Sequence, residues 1–60
     1  MAKVTAGETL TLKIDGYHLT IKIEDASKSD HILAKVQESA SPNYKEGQVC
    51  KFDRSLLEHN

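Results

Sequence analysis

The side chains that could do chemistry are few and scattered. Cys50 is the one thiol among 60 residues. A nucleophilic cysteine needs a base within reach and an electropositive setting. Lys51 and Arg54 follow it closely and could lower its pKa, and His31 or His59 could serve as base. No motif ties any of them to Cys50, and free cysteine is among the most buried residue types. Cys50 is therefore read as a core side chain. His18, His31 and His59 lack the short paired spacing of zinc ligands, such as Cys-x2-Cys or His-x3-His. Glu24, Asp25 and Asp30 bracket a polar stretch that could hold Ca²⁺ or supply an acid and a base. Calcium loops gather about six or more oxygen ligands around a sharp glycine turn, and this stretch has no glycine. Gly7, Gly16 and Gly47 lie too far apart for a dinucleotide or Walker phosphate loop. No catalytic residue, metal or cofactor is expected, and an active site would have to form between subunits.

The elements that position these side chains follow from a period of two. Leu10, Leu12 and Ile14 alternate with polar residues, Asp15-Gly16 interrupts, and Tyr17, Leu19, Ile21 and Ile23 resume the alternation. Asp-Gly between alternating hydrophobics is the strongest short-range hairpin signal, because a type I′ turn needs positive φ at both central residues. Strands are expected over Glu8–Ile14 and Tyr17–Glu24. A two-residue turn pairs Ile14 with Tyr17, Leu12 with Leu19 and Leu10 with Ile21 on one face. The other face then carries Thr9, Thr11, Lys13, His18, Thr20 and Lys22.

Residues 24–30 (EDASKSD) read as a solvated loop. His31–Gln37 restores the alternation, with Ile32, Ala34 and Val36 on one side and Leu33, Lys35 and Gln37 on the other. The competing reading is an amphipathic helix over Ser29–Ser39; the strand is preferred. Glu38–Gly47 is a second long loop, with a turn at Pro42-Asn43 and a sharp bend at Gly47. Gln48–Phe52 forms a fourth strand. Cys50 and Phe52 are placed inward, where an aromatic contributes most to a thin core, leaving Val49 outward. Asp53 then caps one helical turn, whose Leu56 and Leu57 close an open end, and residues 58–60 fray. This order resembles the general plan of small SH3-like barrels. The expected fold is all-β: a small SH3-like barrel or a strongly bent antiparallel sheet of four or five strands, with a terminal helical turn.

Composition narrows the function. One domain over residues 1–60 is expected, and a chain of this size buries only ~60% of its unfolded surface. Eight basic and nine acidic residues are interspersed, for a formal charge of −1. Strong non-specific binding of DNA needs many phosphate-neutralising Lys and Arg side chains, and that signature is missing. The chain has no apolar run near the ~20 residues of a membrane span. Its start, Met1-Ala2-Lys3-Val4-Thr5, lacks the apolar segment of a signal peptide. A lone thiol fits a reducing compartment. A cytoplasmic protein without membrane contact is expected.

Three surfaces remain for binding. The Lys/Thr/His face of the hairpin could meet phosphates, although Lys and Thr are also ordinary exposed strand residues. Tyr44, flanked by Asn43 and Lys45, could anchor a partner, stack on a base, or fold back over the core. Leu33 and Val49 face outward on adjacent strands and could form one apolar patch. The sequence thus points to a non-enzymatic interaction module that binds a protein partner or itself through Leu33, Tyr44 and Val49. The alternative is an RNA- or DNA-binding barrel using Lys13, His18, Lys22, Tyr44 and Lys45.

Overall fold

At the Asp15-Gly16 turn both residues hold positive φ, 52° and 84°. That geometry matches the right-handed twist of the flanking strands. It joins β1 (Thr9–Ile14) to β2 (Tyr17–Asp25), and the pairing Leu10↔Ile21, Leu12↔Leu19, Ile14↔Tyr17 is the expected one. The computed structural model describes residues 4–58 of the chain. His59 and Asn60, within the tail expected to fray, and Met1–Lys3 lie outside the described residues.

The chain continues through β3 (His31–Ser39), β4 (Val49–Asp53) and α1 (Arg54–Glu58). Residues 31–39 are thus strand rather than helix. The four strands form one antiparallel sheet in the order β1-β2-β3-β4. Among the described residues no pairing joins β1 to β4, so the sheet stays open, and the bent sheet rather than a closed barrel is the expected form that matches.

Curvature is written into the β2–β3 register. Ile21 pairs with Val36 but Thr20 with Glu38, so Gln37 is an extra residue on β3; Ile23 pairs with Ala34 but Asp25 with Leu33, so Glu24 is an extra residue on β2. These reciprocal bulges bracket the central pairing, and each bends its strand and increases the local twist.

The two edge strands share one lead-in. Thr5–Glu8 closes with Glu8 N–H donating to Thr5 O (3.2 Å), and Lys45–Gln48 with Gln48 N–H donating to Lys45 O (3.1 Å). The third residue of each turn is a glycine at positive φ, Gly7 at 92° and Gly47 at 87°, as a type II turn requires. Each glycine and its successor then share one partner: Gly7 and Glu8 bond Ile23, while Gly47 and Gln48 bond Val36. These are bulges with glycine in the left-handed position. The side chain after each glycine completes the motif. Glu8 Oε1 accepts from Thr5 N–H (3.1 Å) and Gln48 Oε1 from Lys45 N–H (3.2 Å).

The inner face is apolar and buried, except at the turn end where Tyr17 is 41% exposed. Leu12, Leu19, Ile21, Ile23, Ile32, Ala34, Val36 and Phe52 are all buried, with Leu57 of α1 packed against them. A flat four-stranded sheet could not bury one face beneath a five-residue helix and two loops; the sheet must curl over its own side chains. Asp53 caps α1 by accepting from Ser55 N–H (2.9 Å). The helix lies against both edge strands, β1 and β4, and so covers the open end with Leu56 and Leu57, as their spacing after Asp53 suggested. Among the described residues no helix is long and apolar enough to cross a membrane.

Candidate functional site

The outer face of the sheet collects the exposed side chains of all four strands. Thr9 pairs with Lys22, Lys22 with Lys35, and Lys35 with Val49, so these residues form one continuous row across the sheet. In the next row Leu33 pairs with Lys51. Lys51 lies two residues from Val49, which places Leu33 and Val49 diagonally on neighbouring strands, at the separation where long side chains still meet. Leu33 is 36% exposed and Val49 56%. The patch therefore has two aliphatic side chains set among Lys22, Lys35 and Lys51.

Beyond the row, Thr11 pairs with Thr20 (Oγ1···Oγ1 3.4 Å), and Lys13 pairs with His18. Lys13, His18 and Lys22 thus share the outer face with Leu33 and Val49. Acids flank the band rather than interrupt it. Glu38 stands opposite Thr20, Asp25 opposite Leu33, and Asp53 opposite His31. Three of the acids near it are tied to local donors. Ser27 N–H donates to Asp25 Oδ1 (2.9 Å), and this bond holds the Asp25 carboxyl below the usual carboxylate range. Asp53 is lowered by its bond to Ser55, and Asp30 by its 2.7 Å contact with His31 Nδ1. The positive charge of Lys51 acts weakly on Asp30 as well.

Tyr44 stands apart from both sets of residues named for it. Its ring stacks on Phe52 with centroids 5.7 Å apart and an interplanar angle of 24°. Phe52 belongs to the buried core, so Tyr44 covers the inner face while Leu33, Val49, Lys13, His18 and Lys22 lie on the outer one. Lys45 is exposed in the turn before β4. The structure thus brings Leu33 and Val49 together, and Lys13, His18 and Lys22 together, but joins Tyr44 to neither.

Cys50 pairs with Ala34 and is half-buried against the core. Arg54, four residues after Cys50, serves the fold instead. Its guanidinium donates to Ala26 O (2.7 Å) and Lys28 O (2.9 Å), and its own N–H donates to Asp30 O (3.1 Å). The polar stretch expected to be merely solvated is pinned to the start of α1. Among the described residues no group of three or more His, Cys, Asp or Glu side chains is placed to hold a metal ion.

Reading the sequence alone missed Lys35 and Lys51 as members of the outer patch. The alternation in His31–Gln37 did put Lys35 beside Leu33, and that of Gln48–Phe52 put Lys51 beside Val49. The signal was present, but the strand registers that assemble it were not. Comparison with known proteins gives no match to a protein-family model, a curated protein or a solved structure.

Proposed function

We propose that this chain is a non-enzymatic interaction module, built as a bent sheet on the plan of small SH3-like barrels, that binds a protein partner or a second copy of itself. The observation that carries this reading is the pair Leu33 and Val49. Both are exposed, both lie on the outer face, and they sit diagonally on β3 and the edge strand β4. A single exposed aliphatic residue needs no explanation, whereas a contiguous pair on a rigid sheet is a surface that gains by being covered.

The test is Leu33→Asp. The side chain leaves the core untouched, so the circular dichroism spectrum and melting temperature should stay close to those of the parent. Association, read as self-association by sedimentation or as recovery of a specific partner, should fall by about tenfold or more. A variant that associates as well as the parent would remove this reading.

The second reading, binding of RNA or DNA, draws on Lys13, His18 and Lys22 sharing one face. It requires affinity that drops steeply with salt and with Lys13→Glu or Lys22→Glu. Absence of binding to any oligonucleotide at low salt would end it.

A further inference from the structure

The outer face breaks a rule that the rest of the sheet obeys. Lys22 and Lys35 stand directly opposite one another on β2 and β3. Like charges in that position destabilise a sheet. Among the described residues neither forms a salt bridge. Lys51 lies on the same face, diagonal to Lys35, because Lys35 pairs with Val49 and Lys51 follows two residues later. Three ammonium groups therefore surround Leu33 and Val49, while the carboxylate that stands opposite Leu33, that of Asp25, is engaged by Ser27 N–H. Departures from local consistency concentrate where a surface serves something other than folding.

Resting on the reading of Leu33 and Val49 as an interface, we propose that the occupant of this face is an acidic protein segment carrying aliphatic side chains among its carboxylates, and not a second copy of the chain. A symmetric self-contact would bring the same patch from both copies together. A two-fold axis through Leu33 and Val49 would set each lysine triad close to its symmetry copy, and like-charge juxtaposition across an interface is strongly unfavourable. An acidic surface reverses that sign, and it relieves the Lys22–Lys35 opposition at the same time. Nucleic acid fits the charge but not the rest of the patch. Of the chain's three Phe, Tyr and Trp residues, one is Phe52 in the core and one is Tyr44 stacked upon it; the third, Tyr17, is 41% exposed but has the strand parity of the inward-facing Leu19 and Ile21, so it lies off the outer face. The outer face therefore offers no Phe, Tyr or Trp for base stacking, its one described imidazole, His18, lies toward the hairpin turn away from Leu33 and Val49, and those two side chains have no use against a phosphate backbone.

The experiment titrates the ¹⁵N-labelled full chain with four probes up to about 1 mM, a range that captures weak affinities. The probes are a peptide interspersing Glu with Leu, the same peptide with Gln for Glu, polyglutamate, and oligothymidylate. The expected result is perturbation of Lys22, Leu33, Lys35, Val49 and Lys51 by the Glu/Leu peptide. Affinity should weaken by about tenfold or more for the Gln/Leu peptide and for the variant Lys22→Glu/Lys35→Glu/Lys51→Glu, which should instead take a Lys/Leu peptide. The variant's own dispersed spectrum checks that it folds, and the peptide series tests the idea on the parent chain if it does not. Equal binding of the Gln/Leu and Glu/Leu peptides would overturn the charge inference and leave the aliphatic interface standing. Dimerisation of the parent that is lost in Leu33→Asp would do the same. Equal or tighter binding of polyglutamate or oligothymidylate on this face would overturn it in favour of a polyanion site. No perturbation of the face by any probe, in a chain that stays monomeric, would overturn both.

Discussion

The two faces of this sheet are made by the same strands and obey different rules. On the inner face every cross-strand neighbour is compatible with the next: Leu12 with Leu19, Ile21 with Val36, Ile32 with Phe52. On the outer face Lys22 opposes Lys35, and two aliphatic side chains stand in water beside them. Both faces come from one alternating pattern, so the difference is not one of local propensity. The inner face is what a small chain needs to fold; the outer one keeps combinations that folding alone would not favour.

The comparison can be broken most directly from the inside. Phe52 is the largest buried side chain, and it carries Tyr44 on its ring and faces Ile32 across the strands. Phe52→Ala should destabilise by about 3–5 kcal/mol, which is comparable to the whole stability of a domain this size. Chemical denaturation should show a protein largely unfolded in buffer. If it instead retained a cooperative transition near that of the parent, the inner face would not be the source of the fold.

A second break lies at the margin between the faces. Arg54 holds the carbonyls of Ala26 and Lys28, and so ties the β2–β3 connection to the start of α1. Bonds to a charged donor contribute about 1.5–3 kcal/mol each, less where water can compete. Arg54→Ala should therefore destabilise by about 1–3 kcal/mol, and faster amide exchange should appear first in residues 26–30. Arg54→Lys should recover only part of this, because an ammonium cannot span two carbonyls as a planar fork does. Uniform loss of protection, with residues 26–30 no worse than the rest, would argue against the clamp.

How much of this was legible in the sequence divides along the same line. The β1–β2 register could be read in full, because a two-residue Asp-Gly turn leaves one register and that register assigns every side chain to a face; how far the turn end is buried could not, since Tyr17 stays 41% exposed. The facing of Phe52 and the cap at Asp53 were legible for similar local reasons. Both inner strands run beyond the expected ends, Glu24 and Gln37, and those ends are where the bulges sit. Two polar residues in succession, Gln37-Glu38 or Glu24-Asp25, look like the end of a period-two pattern. In the sheet they are an extra residue inside a pairing that continues. The role of Arg54 was hidden because its acceptors are backbone oxygens 26 and 28 residues away, which no side-chain pattern records. The outer patch was half hidden. Leu33 and Val49 could be assigned to one side, but the meeting of Lys22 with Lys35 depends on the bulged register of β2 and β3.

That meeting gives the smallest expected effect and the most informative one. Lys35→Glu replaces a like-charge pair by an opposite one at a directly opposed position, and it should stabilise the chain by about 0.2–1 kcal/mol in denaturant titration. Lys22→Glu should do the same from the other strand. The double variant Lys22→Glu/Lys35→Glu restores a like-charge pair of the other sign, so its stability should return toward that of the parent rather than show two gains added together. Neighbouring sites that share an interaction are expected to be non-additive in this way. The differences should shrink in about 1 M salt, where the screening length falls to about 3 Å. If the two single changes were instead neutral and strictly additive, Lys22 and Lys35 would not oppose each other in solution, and the contrast between the faces would lose its main support. If they stabilise the fold while weakening the Glu/Leu peptide, the same two lysines are shown to be unfavourable for folding and favourable for binding.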